Sequence, residues 1–535
     1  VAVAAVSVPI AAALGAVGTL AVSIPSRRIA IYLLEVDWDG SGIFDGGTED
    51  ITAYAIGVTY NRGRDYASQL TGRSVAGELV ATLLNTDGRF NSFNTASPMT
   101  GNILPGRRVR LRSSAPGPYT LWYGFLDTIE PSPRHGGLNM ATLRAIGPLG
   151  QINQRDVVVA GSTGVLTGTA VGTLLDDAGW ATSTNARTVD VGRTTMDRWW
   201  ADRKRALTAL REVEETDAGF IGESADGKIV FEDRRHRLQS PHTTVQATYT
   251  DASGGDRRYD HIAQADPLRE IFNDIEARVK RYTVGALAVL WTLSESGANS
   301  PAIAAGESRT YWTSFPNPDS ATNAVAVDAW TTPVSTTDYT ANSAADGSGT
   351  DLTASIGVVV TKFAKAMKVQ LTNNHASTTA YMTLLQARGT PITADDPVAI
   401  VQESTASQNS YGKRTYTNRA PWLPNSSEAL NWAQWTLNIY KDPIPVLTIG
   451  VLANRSSGQL TEVLTRDISD RITIVATGES GLGINEDFFV EHMAHTIGRD
   501  GLHRVLYACS PADGYSGFWV LGTSLLGIST KLGWA

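Results

Sequence analysis

Only a few stretches of this chain carry chemistry-bearing residues at a spacing that chemistry demands. The first is Asp37-Trp38-Asp39-Gly40-Ser41-Gly42-Ile43-Phe44-Asp45. Oxygen-bearing side chains stand where an EF-hand-type loop has its first, third, fifth and ninth positions, a glycine stands at the sixth, and Ile43 offers a carbonyl at the seventh. The pattern departs at the twelfth position, where Thr48 replaces the bidentate glutamate, and Glu49 and Asp50 are the nearest carboxylates able to substitute. Asp37, Asp39, Ser41, Ile43 and Asp45 are therefore the candidate metal ligands, for a structural calcium that stiffens a loop. A plain Asp/Gly turn between two strands accounts for the same residues.

The second stretch holds Glu491, His492, His495 and His503. Its order is E-H-x-x-H, whereas a zinc protease needs H-E-x-x-H on a helix so that both histidines share a face. Here the text alternates as a strand, which sends His492 and His495 to opposite faces, and surface histidines of a sheet are expected. Gly522-Thr-Ser524-Leu-Leu-Gly527 does not have the spacing of a nucleophile elbow. No phosphate-binding loop or dinucleotide fingerprint is present. The carboxylate pairs Asp176-Asp177 and Glu214-Glu215 fall on expected helices, where solvent exposure explains them. A glycosidase pair of carboxylates meets only in three dimensions, and nothing in the sequence points to one. The expectation is a protein without catalytic or cofactor-binding residues, not an enzyme.

Bulk properties narrow the class further. A chain of 535 residues is too long for one core, and three to five domains are expected. The formal net charge of −8 excludes a strongly basic nucleic-acid binder. A single cysteine, Cys509, excludes a disulfide framework and a cysteine-based zinc site. Residues 1–26 contain no charge; their length permits a membrane span, but no basic residue precedes them and Pro9 interrupts them. The absence of a leading Met implies a processed or trimmed start. An Ala/Val-rich arm packed on a neighbouring subunit is expected, with a membrane-active segment as the alternative.

The elements that must position these residues are mostly strands. Ile29–Val36 is an apolar strand, and Gly72 to Pro131 reads as short strands joined by turns: Val75, Leu79, Ala81 and Leu83 near alternating positions, then Val109 and Leu111 between arginines, then Leu121–Leu126. His135-Gly136-Gly137 is a hairpin tip and Met140–Ile146 a returning strand. The period then changes. Ala170–Ala178 and Asp202–Thr216 read as helices, the second with Ala206, Leu207, Leu210 and Val213 on one face. After Asn273 a strand alternates, and its continuation lies near residue 410. Between them, residues 284–401 are rich in Thr, Ser, Asn and Ala; Thr361–Thr372 and Ala380–Gly389 read as strands of a β-sandwich. Ser426–Lys441 is a helix capped by Ser426 or Ser427. Strands follow at Pro445–Val451, Arg471–Ala476, Phe488–Ile497, Leu502–Cys509 and Trp519 onward.

Three of these segments carry a resemblance. G-x-L-x-x-x-L-x-N-x-D-G-R-F, P-G-R-x-V-x-L and G-x-L-D-x-I-E-P follow one another between Gly77 and Pro131, and their order is similar to the first barrel of minor tail (hub) proteins of long-tailed bacteriophages. The helix with an acidic tail, then G-F-I and D-G-x-I-V-F-x-D-R, resembles the small domain that follows that barrel. D-R-I-T-I, F-F-V-E-H-M-A-H-T-I and F-W-V-L-G-x-S-x-L-G resemble the second barrel.

The resemblance implies a mainly β fold of two tail-tube-like β-barrel hub domains, a small α/β domain and an inserted β-sandwich. Its divisions are a 1–28 apolar arm, a 29–150 first barrel, a 151–262 α/β domain, a second barrel from 263–283 and 402–535 with a bracing helix, and the 284–401 insertion. It further implies a structural virion protein of the tail tip, assembled in the bacterial host cytoplasm as a homotrimeric hub ring. Its partners would be the distal tail ring, tape measure, fibres or receptor-binding proteins. DNA would pass through without specific binding, and a host surface glycan or protein is a further partner. A tail-associated adhesin acting through 284–401 and a tail-associated wall hydrolase are the competing readings.

Overall fold

The computed structural model describes residues 29–64, 73–133, 137–265, 270–315, 324–418, 421–443 and 445–515. The 1–28 arm, most of the hairpin tip at 135–137 and the strand from Trp519 lie outside them.

Six strands open the chain: β1 (Ile31–Val36), β2 (Ala55–Gly63), β3 (Glu78–Leu84), β4 (Arg108–Ala115), β5 (Thr120–Ser132) and β6 (Met140–Ile146). They lie in the order β1-β4-β5-β6-β3-β2. Two-residue periodicity decides their faces: Leu79, Ala81 and Leu83 of β3 and Val109 and Leu111 of β4 are buried, while Arg108, Arg110 and Arg112 point away from the core. Val75 precedes β3 and is exposed. The N-x-D-G-R-F words have a local cause. The Asn85 side chain accepts from the Phe90 amide at 3.0 Å, Gly88 takes φ +69°, and the turn so made drives Phe90 into the core. The edge of β1 away from β4 is covered by the segment Glu49–Ile51, with the Val36 amide donating to the Glu49 carbonyl and the Ile51 amide to the Leu34 carbonyl, each at 2.9 Å.

A small α/β module follows, with α1 (Pro148–Ile152), β7 (Asp156–Leu166), α2 (Thr167–Asp177), β8 (Arg187–Val189), β9 (Thr195–Arg205), α3 (Ala206–Asp217), β10 (Phe220–Glu223) and β11 (Ile229–Glu232). The expected helix from Asp202 starts four residues late, because Lys204 and Arg205 remain paired in register with Val157 and Asp156 of β7. Ala218 at φ +56° ends α3.

The second half is built from β12 (Ala247–Thr250), β13 (His261–Ala265) and strands Val446–Leu452, Arg471–Ala476, Ile484–Gly498 and His503–Pro511. The expectation of a mainly β fold holds. Among the described residues neither half closes; both belong to one 12-stranded sheet. The cause is Ile484–Gly498, which pairs with Arg471–Ala476 and then with β2 along one edge and with His503–Pro511 along the other. The edge of β2 that would close the first half onto β1 is occupied by this seam. One core runs through it, from Leu79, Trp122 and Leu143 to Ile449, Phe488 and Tyr507.

Between the halves, β14 (Asp274–Val279) pairs with Val398–Glu403 and Thr415–Thr417. Among the described residues three further helices follow: α4 (Thr405–Tyr411), α5 (Ser426–Tyr440) and α6 (Ser457–Thr465). The cap of α5 is Asn425, whose side chain accepts from the Glu428 amide at 2.9 Å, not Ser426 or Ser427. The insertion winds around the long strand Ala380–Ala394. Its expected strand at 361–372 is two antiparallel strands, Ile356–Lys362 and Ala366–Asn373, with the turn at Phe363–Lys365. It does not stand apart: Ala326, Ala364 and Ile392 enter the core of the α/β module, and Arg198 pairs with Asp328.

Candidate functional site

The loop after β1 winds around one buried carboxylate. Asp37 accepts from the amides of Gly40 at 2.7 Å and Gly42 at 2.9 Å, and both glycines sit at positive φ. Asp39 accepts from the Ser41 amide at 2.8 Å, and that bond, with the Ser41 side chain and Arg107 in support, holds its carboxyl below the usual range. Glu49, buried, accepts from the Gly46 amide at 2.8 Å. Carboxylate oxygens of Asp37, Asp39 and Glu49 lie within 4.8 Å of one another. The acid that completes the group is thus Glu49, one residue beyond the expected twelfth position. Asp45 is exposed and outside this group, and the Ser41 hydroxyl donates to the Ile43 carbonyl at 3.3 Å. The donor set is all carboxylate oxygen, which suits a hard cation. Guanidinium groups of Arg107 and Arg108 lie against Gly40 and Gly42, where a Cβ would collide with them.

A larger constellation lies where the two halves of the sheet meet the α/β module. Glu491, on the long seam strand, pairs with Arg64 at the end of β2 and, at 2.6 Å, with Arg237 after β11. The Phe220 ring lies beneath the Arg64 guanidinium at 3.4 Å, with Arg237 at 5.6 Å. Arg62 pairs with Asp467 at 2.6 Å, and the Ser469 hydroxyl donates to Glu232 at 2.6 Å. Glu223 of β10 accepts from the amides of Gly77 and Leu149 and so ties the start of β3 and α1 to β10. Burial outweighs those two bonds and pushes its carboxyl up to about 7. Glu232 is pushed up to about 7 as well, also by burial.

His495 and His503 are not on the sheet surface as expected, while His492 is half-buried. The bulge between Val490 and His492 shifts the alternation, and His495 and His503 are both buried. The Tyr32 hydroxyl lies 2.8 Å from His503 Nδ1, His503 Nε2 lies 2.8 Å from His495 Nδ1, and His495 stacks on Tyr60 at 4.4 Å. Burial lowers the His503 pKa to about 3 and that of His495 well below its ordinary value. Two neutral rings joined by one shared hydrogen make a structural bridge across the core. Glu214, expected in solvent, is likewise buried, paired with Arg211 at 2.9 Å. The sequence signal missed here is the high count of arginines and acids around strand ends at 62–64, 211–237 and 467–491.

Beside this junction runs a cleft of about 570 Å³, walled by Phe220, Tyr416, Trp432, Trp435, Tyr440 and Tyr515.

No family model matches the chain, and no curated protein matches it. Solved structures do. A 43 kDa tail protein of prophage MuSo2 from Shewanella oneidensis is similar at 9% identity and a TM-score of 0.47, over 91% of this chain and 99% of that one. A tail protein from Neisseria meningitidis MC58 is similar at 9% identity and 0.47, over 92% and 98%. Prophage tail protein gp18 from Listeria monocytogenes EGD-e is similar at 8% and 0.38, over 89% and 94%.

Proposed function

We propose that this chain is a structural hub protein of a phage tail tip, not an enzyme. The observation that carries the reading is that the tail-hub words of the sequence fall on strands of both halves of one sheet. The words between Gly77 and Pro131 fall on β3, β4 and β5, and D-R-I-T-I and F-F-V-E-H-M-A-H-T-I fall on strands Arg471–Ala476 and Ile484–Gly498. One chain then offers two similar wall segments, and three copies around an axis offer six near-equivalent ones, which matches a hexameric tube. The partners are the neighbouring rings, tape measure and fibres of the tail, and DNA passes through the lumen without being gripped. Calcium at Asp37, Asp39 and Glu49 fixes the loop that leaves β1.

Light scattering on the purified protein, with and without residues 1–26, tests this reading. A trimer supports the ring, and its loss on truncation makes the apolar arm the clamp. A monomer at high concentration that also fails to join isolated tail rings sinks it.

A further inference from the structure

Within the insertion, Ser308–Ser314, Ala366–Asn373 and Ile356–Lys362 form a three-stranded antiparallel sheet with Ala366–Asn373 in the middle. Met367, Val369 and Leu371 of the middle strand fill the core of the insertion, so Lys368 and Gln370 face the other way. In register across that outer face stand Trp312, Lys368 and Thr361, and beside them Thr310, Gln370 and Val359. Trp312 is 45% exposed, and the ring of Phe363, in the turn between the other two strands, lies nearly parallel to it at 5.7 Å. From the α/β module Arg203, exposed and at φ +47°, holds its guanidinium over the Trp312 ring at 5.6 Å. Three of the chain's nine lysines, Lys362, Lys365 and Lys368, fall within seven residues here, in a chain of net charge −8. Lys365 reaches Asp202 at 3.6 Å, whereas Lys362, Lys368 and Arg203 hold no ion pair among the described residues.

We propose that this face binds an acidic saccharide, with a sugar ring against Trp312 and Phe363 and its carboxylate beside Lys368 and Arg203. The C–H faces of a sugar are apolar and lie flat on an aromatic ring, while its hydroxyls meet polar side chains, here Thr310, Thr361 and Gln370. Charge complementarity selects the acidic member, because three unpaired cations gather at this end of the sheet in a chain that is acidic as a whole. A nucleic-acid strand also joins stacking to charge, but it presents a line of phosphates. The cations here cluster at one end of the face, and neutral hydroxyl and amide side chains occupy the rest. The inference gives the tail-tip reading a host-surface ligand and rests on that reading only for where the ligand comes from.

The test is titration calorimetry on the full chain with tetragalacturonic acid, oligosialic acid, maltotetraose and a short oligothymidylate. At least one of the two acidic saccharides is expected to bind, with maltotetraose and the oligonucleotide weaker by about tenfold or more. Trp312→Ala is expected to weaken the acidic saccharide about tenfold, and Lys368→Gln about threefold with a flatter salt dependence. Equal binding of maltotetraose removes charge from the recognition, and equal or tighter binding of the oligonucleotide makes the face a nucleic-acid platform. Either result overturns the proposal, as does the failure of both acidic saccharides to bind. Unchanged affinity in the two variants places binding elsewhere and overturns it as well. If Trp312→Ala fails to fold, Gln370→Glu decides, since it sets a negative charge on the outer face without touching the core; unchanged affinity again overturns the proposal. Binding is read in whatever oligomeric state the chain takes, so a negative result leaves the ring standing and a monomer leaves this face standing.

Discussion

At the scale of single residues the buried carboxylates set the pH behaviour. Glu223 has its pKa raised from 4.5 to about 7 by burial, so folding favours its protonated form. Its contribution to stability is full below about pH 4.5 and is lost as the pH rises towards 7, by an amount on the order of 3 kcal/mol. Glu223→Gln keeps a neutral side chain at every pH. Its urea midpoint is therefore expected to gain on wild type between pH 5 and pH 8, and a constant difference would refute the assignment. The loop acids behave otherwise. Calcium is expected to raise the melting temperature of wild type and not of Asp37→Asn, with EDTA reversing the shift; no shift in wild type retires the site. Asp37 and Asp39 were legible from their spacing with glycine. Glu49 was legible only as a neighbour, because the fold of Gly46-Gly47 decides which acid turns inward. The Glu491 junction was not legible, because its partners Arg64 and Arg237 lie far apart in sequence and meet only through the seam.

At the scale of elements, what could be read depended on how local the cause was. Helices α3 and α5 follow from apolar spacing, β3 and β4 from alternation and β5 from a nearly continuous apolar run, all properties of a dozen neighbouring residues. Strands β7 and β9 escaped, β9 because Asp202-Arg-Lys-Arg205 reads as the start of a helix. Their pairing with each other overrides that local preference. The seam has its own requirement. Gly63 takes φ +116°, and a Cβ there would stand 2.3 Å from the Glu491 carbonyl oxygen. Gly63→Ala is expected to destabilise by more than about 1 kcal/mol, from strained φ and the collision together. Gly47→Ala, with open space around it, serves as the control. Equal denaturation midpoints for the two variants would remove the seam from the argument.

At the scale of the molecule, the two barrel segments read from the sequence share one 12-stranded sheet and one core cluster. That sharing was unreadable because it depends on which strand takes the free edge of β2, and no local pattern records that choice. A shared core makes the halves thermodynamically one unit. Phe488→Ala removes a fully buried ring from the second half, at a cost of about 3–5 kcal/mol. Hydrogen exchange is expected to quicken in β3 of the first half as much as in the strands beside Phe488. Acceleration confined to residues 446–511 would mean two independent cores.

The long strand Ile484–Gly498 also decides how the molecule bears load. Strand pairs pulled along their length resist with all their bonds at once, whereas pairs peeled from an end open one bond at a time. β2 and the seam strand lie antiparallel over Gly57–Gly63 and His492–Gly498, and the same strand is gripped on its other edge by His503–Pro511. Tension between the two halves along this direction meets a sheared ladder and not a hinge. A wall made from such chains would flex by twisting its sheets while the joint between halves stayed shut.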